Sequence, residues 1–483
     1  MTRGKWLIAG IGLVAIGIVV GGWYHLFRQV PRHYASIEEH FKYGSVGVEA
    51  ANGIPYWVWI VLPRVFPDKI GADGYRSFGF IYEDGHDNPI GTSVMTVGFP
   101  RLGINCGLCH VGSLRMAESE PQKLLIGAPN TTLDLQRYLR FLFACASDPR
   151  FTADNIVNEI ALVHDLSFVE RLLYRFVIIP QMRKALREQQ RDLAWMDALP
   201  DWGPGRVDPF NPAKVQITKR PYDGTIDAAD IVPLWNFRPR RDFGLHWDGL
   251  NTSLKEIFLN SGIGNGASNR TIDLKSLDRI QQWVLDLKPA PYPYPIDREL
   301  ADRGQRIFTA QCAGCHAFGG EKVGRPIPIA RIGTDRHRLD SWNEDAAAAF
   351  NNLDGYRWRY THFRKTDGYV AVPLDGIWAR APYLHNGAVP SLWDLLAAPD
   401  KRPARFYRGL DVYDPTKVGF VSEHAGAIGV AAADATYTGT VRAARTGRPF
   451  DTSQPGNGNH GHVFGSTLPD GDKWALIEYL KSL

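Results

Sequence analysis

Four of the five cysteines of this 483-residue chain fall in two pentapeptides of one form, Cys106-Gly107-Leu108-Cys109-His110 and Cys312-Ala313-Gly314-Cys315-His316. Two thiols three residues apart reach the two vinyl groups of one porphyrin as thioethers. The imidazole that follows then lies under the iron as its proximal ligand. With 5 Cys and 14 His in the chain, about 0.0015 matches are expected by chance. The rivals are a zinc site fed by four thiolates and a thioredoxin-like redox pair. Neither accounts for a His directly after both pairs, so two covalently bound c-type haems with iron are expected, on Cys106, Cys109 and His110 and on Cys312, Cys315 and His316.

The far side of each iron decides what such a centre can do. Two strong axial ligands suit electron transfer, whereas an open side binds oxygen or peroxide. No Met follows Cys315, so a thioether from the second half is excluded there. His337, His362, His385, His424, His460 and His462 remain as candidates. Of these, His462 sits in a Gly-Asn-Gly-Asn-His-Gly-His run whose glycines let backbone approach a flat ring. For the first iron, Met95, Met116, His164 and His246 are the side chains that could close it. Cys145, among Phe141, Leu142 and Phe143, reads as a buried free thiol. Arg331, Arg336 and Arg380 are candidates to pair with haem propionates, since guanidinium offers a carboxylate two donors.

These residues need elements to hold them. Leu135, Tyr138, Leu139 and Leu142 recur at helical spacing. Thr152 fits a helix N-cap, Ser167 with Glu170 fits a capping box, and Pro180 fits the first turn of a further helix. Gly91 to Phe99 reads as a short strand or extended arm leading into the first pentapeptide. A helix is expected from about Asp273, with Leu277, Ile280, Trp283, Val284 and Leu287 on one face. It ends at Lys288-Pro-Ala-Pro-Tyr-Pro-Tyr-Pro295, whose alternating prolines favour extended backbone and mark a domain boundary. Leu300, Gly304, Ile307 and Phe308 keep helical register into Cys312, and Trp474, Ile477 and Leu480 form a closing helix. The closing helix of the first half, from Ile280, is similar, so the plan reads as duplicated.

The two pentapeptides, Trp235-Asn236, His246-Trp-Asp-Gly249, Ala381-Pro-Tyr-Leu-His-Asn-Gly-Ala-Val-Pro-Ser-Leu392, Gly461-His-Val-Phe-Gly465 and Ile477-Glu-Tyr-Leu-Lys-Ser-Leu483 together resemble the rubber-oxygenase-like dihaem cytochromes, distant relatives of bacterial dihaem cytochrome c peroxidases. The resemblance runs from about Arg76 to Leu483. It implies a second His ligand on the C-terminal haem, at the position matching His462, with His385 and His460 as runners-up. It also implies a reactive N-terminal haem with His110 proximal and an open distal side lined by apolar and aromatic residues, for which Trp235, Phe237 and Trp247 are the candidates. Arg380 is expected to face a propionate.

The fold expected is mainly α with much irregular loop: two cytochrome c-like domains, at 31–290 and 291–483, the first heavily elaborated, behind an N-terminal transmembrane helix within 1–30. Gly 48 and Pro 32 make up about 17% of the chain against a usual figure near 12%, which suits loops wrapped around cofactors. Trp6 to Tyr24 is uncharged and as a helix spans roughly 28 Å, close to a bilayer core. With no small-residue cleavage site after it, it reads as an uncleaved inner-membrane anchor. Thioether attachment outside the cytoplasm puts the globular part in the periplasm. Net charge +4 without a basic run argues against nucleic acid. The expected activity is that of an oxygenase- or peroxidase-type redox enzyme with a periplasmic electron donor or acceptor. The alternatives are a dihaem electron carrier and a cytochrome subunit docked through the aromatic stretch Tyr56 to Trp59. Family members that cleave polymer act as released proteins, so the expected anchor favours a periplasmic substrate or partner.

Overall fold

The computed structural model describes residues 12, 16, 17, 20–24, 28–30, 32–117, 119–423 and 447–483. Among these, no helix is long and apolar enough to cross a membrane, which overturns the transmembrane helix and the single-pass anchor expected at Trp6 to Tyr24. Much of that run lies outside the described residues. An uncharged run of bilayer length is a compositional signal, and composition alone does not make a continuous spanning helix.

The rest is mostly helix and loop, as composition suggests. In the first half, α1 (Ile37–Tyr43) starts at Ser36, whose hydroxyl accepts the Glu39 N–H at 3.0 Å. Pro55 precedes α2 (Tyr56–Val65), so the Tyr56 to Trp59 stretch is the first turn of a helix rather than a surface patch. Trp59 is buried and stacks on Tyr75 with ring centroids 3.9 Å apart. A docking role for that stretch is thereby lost for Trp59 and Tyr56, both of which belong to the core.

Strands β1 (Thr92–Val97) and β2 (Phe99–Ile104) form an antiparallel hairpin in register Thr92 to Ile104. It delivers the chain to the one-turn helix α3 (Gly107–His110). A second hairpin, β3 (Val111–Leu114) with β4 (Lys123–Ile126), leaves it. The helical insert follows as α4 (Leu135–Ser147), α5 (Ala153–Ile160) and α6 (Ile179–Asp192). Thr152 caps α5, Ser167 and Glu170 make the expected reciprocal box, and Pro180 lies in the first turn of α6. Each cap satisfies N–H groups that a helix start leaves without partners. Then come α7 (Leu254–Gly264) and α8 (Leu274–Val284), the latter capped by Asp273.

In the second half α9 (Arg298–Gln311) runs into the short helix α10 (Ala313–His316), and α11 (Asp470–Leu480) closes the chain. The crossing of α9 with α11 is tight. A Cβ added at Gly304 would lie 1.9 Å from the Ala475 carbonyl oxygen, so only glycine lets the two backbones meet there. The first half repeats this pairing with a difference: its pentapeptide is preceded by a strand, and the helix packed on the closing α8 is α1, with Phe41 and Trp283 at 5.2 Å. The insertion of residues 44–104 between α1 and the pentapeptide hid the correspondence from local periodicity.

Buried ion pairs lock the halves together. Arg408 donates to Asp230 at 2.6 Å and to the Gly387 carbonyl at 2.8 Å, with both side chains almost wholly inaccessible. Arg240 pairs with Asp375, and Arg115 with Asp411 at 2.8 Å. Removing one partner of such a pair leaves a bare charge in a dry interface. Arg408→Ala is therefore expected to cost about 3–5 kcal/mol in urea unfolding. Arg405→Ala, whose pair with Asp451 is at the surface, is expected to cost less than about 1 kcal/mol.

Candidate functional site

The second pentapeptide starts where α9 ends, so Cys312 and Cys315 stand on one short helical turn with His316 at its close. The His316 Nδ1 donates to the Val372 carbonyl at 2.8 Å, which leaves Nε2 as the free lone pair and sets the ring's direction. Across from it stands His462, ring centroids 6.1 Å apart and ring planes 51° apart. Two imidazoles on opposite sides of one metal, each with a metal–nitrogen distance of about 2 Å, have centroids roughly 6 Å apart. The spacing is what one iron between them requires.

The loop that carries His462 is held from behind. Arg402 donates to the carbonyls of Asn459 at 2.6 Å, Gly461 at 2.8 Å and His462 at 3.1 Å, and His462 donates its backbone N–H to Ile332 at 2.8 Å. Gly461 passes so close to Gly333 that a side chain would collide with it. The backbone of His462 is left-handed, with φ 44°, and its Nδ1 is buried without a partner. Burial, then the nearness of His316 and Arg402, lowers its pKa to about 4. Burial lowers His316 as well. Both shifts favour the neutral ring, the form that can donate to a metal.

Two of the other candidates for this position are hydrogen-bonded elsewhere. His337 bonds Asp335 at 2.9 Å and His362 bonds Glu256 at 2.6 Å. His460 is exposed, and His424 lies outside the described residues. His385 stacks face to face on Tyr369 at 3.9 Å. Burial pushes its pKa from 6.5 down to about 3, with Arg338 and Arg206 adding to the effect against Asp335. The unfolded chain takes up that proton below pH 6.5 while the folded one refuses it until about pH 3. Stability is therefore lost as pH falls through this window, at up to roughly 1.4 kcal/mol per pH unit. His385→Phe is expected to reduce that slope, measured as urea midpoints at pH 7 and pH 5.

At the first pentapeptide, α3 is fixed by Asn105, which accepts the Gly107 N–H at 2.9 Å and donates to the Gly44 carbonyl at 2.9 Å. Burial lowers the His110 pKa to about 4 against the pull of the nearby Val232 carbonyl. Its Nδ1 is buried with no hydrogen-bond partner. The two proximal histidines thus face equivalent carbonyls, those of Val232-Pro-Leu234 and Val372-Pro-Leu374. Downstream of each, the chain closes a small loop by one antiparallel bridge, Leu245 with Asn251 and Tyr383 with Val389. Both loops carry left-handed residues at matching places, His246 with Gly249 and Leu384 with Gly387. Both then start a helix capped by a serine, Ser253 or Ser391. This repeated cradle was missed by reasoning from helical periods; the signal available was the recurring Val-Pro-Leu followed by an Asp/Asn-Gly turn and Ser-Leu.

The expected distal residues Trp235, Phe237 and Trp247 each take partners of their own. Trp235 lies between the two cradles: its indole N–H donates to Ile126 at 2.9 Å, the neighbouring Gly127 donates to His110 at 2.8 Å, and a Cβ at Gly376 would touch its ring at 2.8 Å. Trp247 donates to the Asp230 carbonyl at 2.7 Å, and Phe237 lies 6.0 Å under the Arg240 guanidinium. Arg380 donates to the Pro373 carbonyl at 2.9 Å and to the Asp375 carboxylate at 3.0 Å, holding the second Val-Pro-Leu turn. Of the side chains that could close the first iron, His164 stacks on Trp57 at 3.9 Å and Met116 is exposed. Cys145 is buried, and burial pushes its thiol up to about 12, an inert packing residue. Among the described residues no three His, Cys, Asp or Glu side chains gather as a metal site, so a four-thiolate zinc centre is not formed.

Comparison with known proteins bears on the same region. Residues 301–385 match the cytochrome c family, and residues 368–407 match the family described as RoxA-like, cytochrome c-like. An uncharacterized protein of Sinorhizobium fredii, y4iM, is 32% identical over 52% of this chain and 64% of its own length. The match thus spans under two thirds of that relative. A second from the same organism, y4iJ, is 28% identical over 86% of this chain and 85% of its own.

Proposed function

We propose that this chain, a RoxA-like c-type cytochrome by its C-terminal sequence, carries two covalently bound haems and works as an electron-transfer protein between redox partners. The observation that carries the reading is the pairing of His316 with His462, ring centroids 6.1 Å apart. Haem bound there supplies a one-electron couple. The protein's part is to hold two neutral imidazoles in fixed directions, so that little rearranges when charge changes. Val372 orients one ring and the Arg402 clamp the other. The second cradle, built on the same Val-Pro-Leu plan around Cys106, Cys109 and His110, supports a second haem. Trp235 touches the frames of both, and Arg408 with Asp230 keeps their spacing.

A second reading, an oxygenase- or peroxidase-type enzyme acting at the N-terminal haem, is favoured by the likeness of residues 368–407 to the RoxA-like family. It needs an open position opposite His110. The test of the main reading is haem counting on denatured protein together with a reductive titration. Two haems per chain and two one-electron steps are expected; one haem per chain overturns it.

A further inference from the structure

We propose that His246 is the second axial ligand at the Cys106-Cys109-His110 site, so that both irons are capped by two histidines at rest. The inference rests on the reading above that this site carries haem.

Its geometry parallels that of His462. His246 has left-handed backbone, φ 62° against 44° for His462, a conformation that costs a residue with a side chain and persists where the surroundings impose it. Here the Leu245 to Asn251 bridge imposes it from one side. The next residue, Trp247, is tied to the Asp230 carbonyl two residues before Val232, the residue that faces the proximal ring. The His246 imidazole stands edge-on to Phe210 with centroids 5.2 Å apart, and its Nε2 is buried with no partner. A buried ring nitrogen left bare is unfavourable unless something takes its lone pair. The ring is deep in the protein yet only partly covered, as are His110, His316 and His462, whereas His385 is fully packed. Charge on His110 disfavours charge on His246, as charge on His316 does on His462. Arg338 lies over the Phe210 ring that His246 meets edge-on, 4.8 Å from its centroid.

The repeat supplies an internal control. The residue at the position of His246 in the second cradle is Leu384, which has no lone pair to give. That cradle takes its second imidazole instead from the loop before α11. The ligand would therefore come from the repeat arm in the first site and from the chain's end in the second. The bond is donation of the imidazole lone pair to iron; the ring proton stays on the other nitrogen and nothing is oxidised. A site so capped admits oxygen or peroxide only after His246 lets go.

The experiment uses the holoprotein. Electron paramagnetic resonance of the oxidised protein is expected to give two low-spin signals, and the reduced protein is expected to take up no carbon monoxide. His246→Leu is expected to lose one low-spin signal, show a high-spin one and bind about one carbon monoxide per chain. Added imidazole is expected to reverse this, and His246→Met to stay low-spin. Haem content and circular dichroism, with His246→Gln as the smaller change, guard against a folding defect. A high-spin haem in the unsubstituted protein, or His246→Leu with two haems and unchanged spectra, overturns the inference alone. Fewer than two haems per chain overturns the reading beneath it.

Discussion

Cys106→Ser combined with Cys109→Ser is expected to halve covalently bound haem, from two per chain to one, while the C-terminal site keeps its spectrum. The two sites stand on separate elements. The first is carried by the β1–β2 hairpin and by α1 against α8, the second by α9 crossing α11 at Gly304. Thioethers to Cys312 and Cys315 depend on the second set only, so loss of the first pair of sulfurs leaves them in place. The check is the pyridine haemochrome assay on denatured protein, with haem staining of a denaturing gel. Two haems surviving in the double variant would mean that Cys106 and Cys109 are not attachment points. The same substitutions remove both thioether tethers, so a lower thermal midpoint is expected in the first half.

Loss of the His462 imidazole is expected to have the other large effect. His462→Ala removes one of two strong-field donors. One low-spin signal is expected to become high-spin, and the reduced protein to bind one more carbon monoxide per chain than the unsubstituted one. Arg402→Ala is expected to do the same in part, because the three carbonyls it gathers hold the loop that presents the ring. His385→Phe keeps the stack on Tyr369 and is expected to leave the spectra unchanged. The converse result, spectra altered by His385→Phe and untouched by His462→Ala, would reverse the assignment.

Much of the local structure was legible. The caps at Thr152 and Ser167 are short-range bonds between a side chain and an N–H three residues on, which sequence spacing reports directly. The α9 and α11 helices follow from apolar period. The Tyr56 to Trp59 helix was hidden because aromatics and a nearby proline suit extended chain as well. Its burial against Tyr75 is a tertiary fact. The expected anchor rested on hydropathy, and among the described residues no helix is long and apolar enough to cross a membrane. The repeated Val-Pro-Leu cradle lay in view but carries no helical or strand period, so a reading by periods passed over it.

What the sequence by itself determined is the covalent chemistry: C-x-x-C-H spacing sets which sulfurs reach one porphyrin and which ring lies beneath it, because those atoms are neighbours along the chain. What only the tertiary structure bears on is the side opposite each proximal histidine, where His462 and His246 are the proposed partners. His462 is 146 residues from His316 and His246 is 136 from His110, distances over which no local pattern constrains approach. Those rings are brought to their places by a guanidinium clamp, a single β-bridge and a glycine that lets two backbones touch.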